Sequence, residues 1–230
     1  MGLDLIVGIR AAVVDDAGSA WLASMLERTN RFLALAGMPP HDEPRPTEEP
    51  WSVQMWGYGG LHDLRRLAAY LRAGLEPEPL RLGEDATEDP VLGRYYGEAG
   101  WDVGPDGLST LATGGGPERN FDHLVFHGDA EGIYLPRAFE PVLLTYEEGD
   151  AMIDAIGSSA TLRTECEVIA RWLGLDLSRD PEDEEILAVA DTPALEGARW
   201  RRFGVESFSC LRLHHACGRS LAGGQALVFG

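Results

Sequence analysis

Apolar residues recur at helical spacing in four stretches of this chain. Leu22, Leu26, Leu33 and Ala36 follow Ser19, which offers an N-cap, and Gly37 before Pro39 supplies the stop. A second stripe, Leu61, Leu64, Ala68 and Leu71, predicts a helix from Leu61 to Arg72 with Arg65, Arg66 and Arg72 on its other faces. Leu162, Cys166, Ile169, Ala170 and Leu173 form the third, opened by Gly157, Ser158 and Ser159 and ended at Gly174. The fourth, from about Glu206 to Leu221, is apolar over much of its circumference.

Shorter patterns read as strands. Leu3 to Arg10 is rich in β-branched residues, and Trp51 to Tyr58 reads as a short strand or an extended loop. In Phe121 to His127, Leu124 and Phe126 alternate with His123, Val125 and His127, which predicts a strand with one apolar and one mixed face. Gly128 to Gly132 then turns the chain, Ile133 to Leu135 begins a return strand, and Pro141 to Thr145 adds a third. Gln225 to Phe229 predicts a closing strand inside a sheet. Proline, glycine and acids predict irregular loops at about 38–50, 76–120 and 174–200, with Gly114 to Gly116 marking a mobile stretch. The expected fold class is α+β, one domain over residues 1–230, with three to four helices packed on a mixed or antiparallel sheet.

Composition narrows the chemistry. The 230 residues carry 38 acids against 19 basic residues, a net charge of -19. Every one of those basic residues is arginine, so a pyridoxal Schiff base, a Walker-type phosphate loop and a kinase ATP site, each needing a lysine amine, are excluded in their usual forms. The negative charge excludes a sequence-independent grip on nucleic acid or an anionic membrane and favours a basic protein as partner. The charge is uneven: Glu140 to Glu196 holds fifteen acids and three arginines, while Gly197 to Gly230 holds five arginines and Glu206 alone. Two such regions either face each other or leave a binding surface. No apolar run is long enough to cross a bilayer and the start lacks a signal-peptide pattern, so the expected compartment is cytoplasmic. Cys166, Cys210 and Cys217 are odd in number and widely spaced, which reads as buried, reduced thiols.

Candidate chemistry concentrates in Phe121 to Pro136. His123, His127, Asp129 and Glu131 fall on one side if a strand continues through them, the convergence a divalent metal needs from imidazole and carboxylate. Gly128 interrupts that parity, and Asp129 then reads as a turn-former and the histidines as buried hydrogen-bonders. A histidine from the last helix, His214 or His215, meeting Asp129 or Glu131 would make a general acid and base couple. Gly57 to Gly60, entering a helix, tests as an anion loop but reads first as a tight turn. Trp51, Trp56, Tyr58 and Tyr134 are the aromatic candidates for a binding surface.

The stretch HLVFHGDAEGIYLP, with Phe139 three residues on, resembles a group of uncharacterised bacterial proteins that carry a His-Ser-Asp-x-(Asp/Glu)-Gly-x-Tyr-x-Pro element. Gly128 stands where that pattern has serine, and Ala130 where it often has cysteine. The resemblance implies a shared structural element, and acidic proteins of this look are often of accessory or toxin-neutralising character. The resulting expectation is a non-enzymatic, macromolecule-binding protein of immunity-like or accessory type, with no cofactor. The alternative is a metal-assisted hydrolase built on His123, His127, Asp129 and Glu131.

Overall fold

The computed structural model describes residues 3–12, 15–45, 49–81, 83–98, 104–116, 118–129, 132–149 and 153–230. Seven strands form one sheet: β1 (Asp4–Val7), β2 (Trp51–Gln54), β3 (Leu108–Leu111), β4 (Ile133–Leu135), β5 (Val142–Thr145), β6 (Asp154–Ser158) and β7 (Leu227–Phe229). Their order across the sheet is β2-β1-β7-β4-β6-β5-β3. All neighbours run antiparallel except β4 and β6, so the sheet is mixed and the class is α+β.

The long helices are α2 (Asp16–Leu35), α3 (Gly57–Ala73), α6 (Ser159–Leu173) and α9 (Gly204–Gly223), the four that periodicity predicts. Strand alternation divides the core. Leu5, Val7, Tyr134, Leu144, Ala155 and Phe229 face the helical layer of α3, α6 and α9. Ile133, Leu135, Leu143, Ile156 and Val228 face the other way, where Leu22, Phe32 and Leu33 of α2 cover them. Strands buried on both faces read in sequence as short apolar runs rather than as alternation.

Several expected boundaries shift, each for a physical reason. Asp15, not Ser19, caps α2: its carboxylate accepts the Gly18 amide at 2.7 Å, while the Ser19 hydroxyl donates to the Asp15 carbonyl. β1 stops at Val7 because Gly8 turns at φ +84°, and α1 (Ile9–Ala12) follows. The glycines before Leu61 belong to α3 itself. A Cβ on Gly60 would sit 2.6 Å from the Trp56 Cβ and 3.0 Å from Ser209 Oγ, so Gly60 lets α3 approach α9. Ser158 ends β6 and caps α6 by accepting the Thr161 amide at 3.0 Å.

Two loops expected to be irregular hold regular structure. Within 76–120 lie α4 (Pro90–Glu98) and β3, and within 174–200 lie α7 (Glu184–Asp191) and α8 (Arg199–Arg202). Acids there act as caps: Asp183 Oδ1 accepts the amides of Glu185 and Ile186. The three-to-four-helix expectation therefore undercounts the helices. Phe121 to His127 is not a strand either; α5 (Asp122–Val125) is a single helical turn. Phe121, Leu124 and Val125 stand at i, i+3 and i+4, and the whole segment is buried, so alternation has no solvent face to match.

Candidate functional site

The turn of α5 is held from three directions by buried polar groups. From α6, Glu165 accepts the His123 and Leu124 amides at 3.0 and 2.8 Å, capping the turn from a distant part of the chain. Burial pushes the Glu165 carboxyl well above its ordinary value, against the pull of those two amides. Asp122 accepts the Tyr95 hydroxyl at 2.9 Å and both the amide and hydroxyl of Thr113. From α3, Arg65 donates through Nε to the Leu124 carbonyl at 2.9 Å and through Nη2 to the His127 carbonyl at 2.6 Å, and its Nη1 pairs with Asp129. Arg65 and Arg66 are thus buried, where the helical wheel put them on outer faces.

The two histidines of the segment are enclosed. His123 Nδ1 accepts the Ser158 amide and Nε2 donates to the Glu140 carbonyl, both at 2.9 Å, so each ring nitrogen is engaged. Burial lowers its pKa to about 4. The His127 ring stacks on Tyr134 with centroids 3.7 Å apart and hydrogen-bonds the Gly128 carbonyl through Nδ1. Burial, reinforced by the Arg65 charge, lowers its pKa to about 3.

Asp129 is the accessible member, with its side chain 40% exposed. Partial burial opposes ionisation, but the His62 hydrogen bond at 3.2 Å and the Arg65 charge outweigh it and hold the carboxyl well below the usual range. Asp129 is thereby assembled with His62 and Arg65 of α3, while Glu131 lies outside the described residues. His214 instead meets Arg163 and Glu167 on α6, and His215 Nε2 hydrogen-bonds the Arg179 carbonyl at 2.9 Å. No group of three or more His, Cys, Asp or Glu that could hold a metal ion occurs among the described residues. The three cysteines are free and buried, and the Cys210 thiol donates to the Cys166 carbonyl.

The aromatic candidates scatter. Trp56 packs edge-on to Phe208 at 5.4 Å, Tyr134 is buried with its hydroxyl donating to the His123 carbonyl, and Tyr58 is exposed at the start of α3. Trp51 borders a cleft with Arg179, His215 and Arg219. Periodicity gave no sign of the groups that organise the segment, Arg65, Glu165 and Tyr95, because their partners lie 59, 42 and 27 residues away.

Charge organises the exterior. Among the described residues only Glu43, Asp122, Glu165 and Glu206 are buried acids. The arginines of α8 are matched inside the molecule: Arg199 with Glu76 at 3.0 Å, Arg202 with Glu78 at 3.3 Å, and Arg201 with Glu185. Across 176–196, by contrast, Asp176, Asp180, Glu182, Glu184, Asp191 and Glu196 are exposed and make no ion pair. The acidic surplus is therefore an outward-facing property of the fold.

A family model described as "Putative DNA-mimic protein" matches residues 1–229. The chain belongs to that family. No curated protein and no solved structure matches it. Membership in a DNA-mimic family corrects the expected partnership, in which a basic protein binds and nucleic acid plays no part. Nucleic acid enters as what the family imitates, and the partner the family implies is a DNA-binding protein. No helix among the described residues is long and apolar enough to cross a membrane.

Proposed function

We propose that this DNA-mimic family member works without catalysis, by occupying the nucleic-acid-binding surface of a DNA-binding protein. The family match over residues 1–229 carries the reading. The exposed carboxylates of 176–196 that form no ion pair support it, since they leave negative charge for another protein's cations. Duplex DNA presents one charge about every 1.7 Å of axis and releases counterions when cations meet it. A carboxylate surface that replaces it competes for the same arginines and lysines and inherits the sensitivity to salt.

The test is displacement. Proteins that a DNA-cellulose column retains from a cell extract are bound singly to a fluorescent duplex, and this protein is titrated in. The expected result is release of the duplex from at least one of them, weakening as salt rises and weakened by the triple change Asp180→Asn, Glu182→Gln and Glu184→Gln. Failure to displace DNA from any retained protein at low salt would remove the reading.

A further inference from the structure

Acids outnumber arginines two to one in this chain, so an arginine without a carboxylate calls for a reason. Arg94 on α4 and Arg119, just beyond the triple glycine, make no ion pair or hydrogen bond through their side chains, and both line one cleft of about 340 Å³. That cleft lies between α3 and α4 and is bordered by Gly115 and Arg119. Its one acidic lining residue, Glu98, is already engaged: Arg72 donates to it from Nε and Nη2 at 3.1 and 2.7 Å. Two exposed arginines from two separate elements thus line one cleft without a carboxylate partner.

The same cleft is built rigidly underneath. Arg72 Nη1 donates to the carbonyls of Gly114 and Arg119 at 2.7 and 3.0 Å, and its guanidinium lies 4.6 Å from the centroid of the Tyr95 ring. Gly114, Gly115 and Gly116 take φ of +76°, +109° and +72°, a path open to glycine, and a Cβ on Gly115 would come 2.9 Å from Arg72 Nη1. The triple glycine thus lets Gly115 lie against Arg72, and Arg119 lines the same cleft as Arg94.

We propose that this cleft is a binding site for a phosphate-class dianion, with Arg94 and Arg119 as the two forks and Arg72 on Tyr95 as the fixed floor. Planar guanidinium groups arriving from two directions suit a tetrahedral anion with several acceptor oxygens better than a single carboxylate. The volume exceeds a bare phosphate and falls at the small end of ordinary ligand sites, which leaves room for a modest organic group. The net negative charge opposes the anion at long range, but at physiological salt that field is screened beyond about 8 Å and the local pair governs. The site is separate from the acidic 176–196 surface and independent of the reading placed on it.

Calorimetric titration of the full chain in a phosphate-free buffer at neutral pH tests it, with inorganic phosphate and phenyl phosphate as probes. Three proteins are compared: wild type, the double variant Arg94→Gln/Arg119→Gln, and Arg81→Gln, which removes an exposed, unpaired arginine elsewhere. Saturable binding is expected for wild type and Arg81→Gln, weakened about tenfold or more in the double variant. Tighter binding of phenyl phosphate assigns the site to a small phosphomonoester, and equal binding assigns it to free phosphate. Absence of saturation by about 10 mM of either probe, or equal affinity in the double variant with an unchanged circular dichroism spectrum, overturns the proposal.

Discussion

Arg65 is the buried tie of the segment: its three donor groups hold two backbone carbonyls and Asp129 in place. Replacing it with methionine keeps the length of the stem but strands those carbonyls beside α5. A loss of about 3 kcal/mol in urea unfolding is expected; a loss below about 1 kcal/mol would show that Arg65 does not organise the segment. His123 and His127 carry the acid sensitivity. Both bind a proton less readily when folded, at about 4 and about 3, than the ordinary value of 6.5. They therefore favour the folded chain above pH 6.5, and that share is lost as pH falls from 6.5 toward about 4 for His123 and about 3 for His127. A His127→Phe variant keeps a ring on Tyr134 and removes one proton site. Its unfolding midpoint is expected to fall less steeply than wild type over that window, and matching slopes would refute the assignment. Among the described residues, candidate positions in Phe121 to Pro136 were readable from residue type. Which of them faces water was not, because Asp129 acquires its setting from His62 and Arg65 on another helix.

At the scale of elements, caps and close contacts decide where helices begin and how near they pack. Gly204 opens α9 against α7, where an added Cβ would stand 1.9 Å from the Val189 carbonyl oxygen. A Gly204→Ala change must push the two helices apart, and a loss of about 2 kcal/mol or more in denaturant unfolding is expected. An unchanged midpoint would mean that the junction has slack. The four long helices were legible because each spans enough turns for its buried positions to repeat, as a stripe in α2, α3 and α6 and over most of the circumference in α9. Short α5, α7 and α8 were not. α7 spans eight residues and α5 and α8 four each, too few for a period to emerge, and in α5 the cap comes from Glu165, 43 positions beyond Asp122.

Over the whole molecule, a charge of -19 spread on the exterior makes the folded chain repel itself. Raising NaCl from about 10 mM to about 0.5 M, which shortens the screening length from about 30 Å to under 8 Å, is expected to raise the melting temperature by a few degrees. A melting temperature that stays flat or falls would place the stability in ion pairs such as Arg199 with Glu76 and Arg202 with Glu78. The same salt is expected to weaken displacement of DNA, so stability and competition should move in opposite directions. By itself the amino-acid sequence determined the α+β class, the four long helices, the absence of lysine chemistry and the acidic surplus, because periodicity and composition are local or additive. Tertiary structure alone decided which acids are cancelled, which arginines are left over at Arg94 and Arg119, and that Phe121 to His127 is a buried helical turn. Those outcomes depend on pairs of groups far apart in the chain, whose meeting no local pattern records.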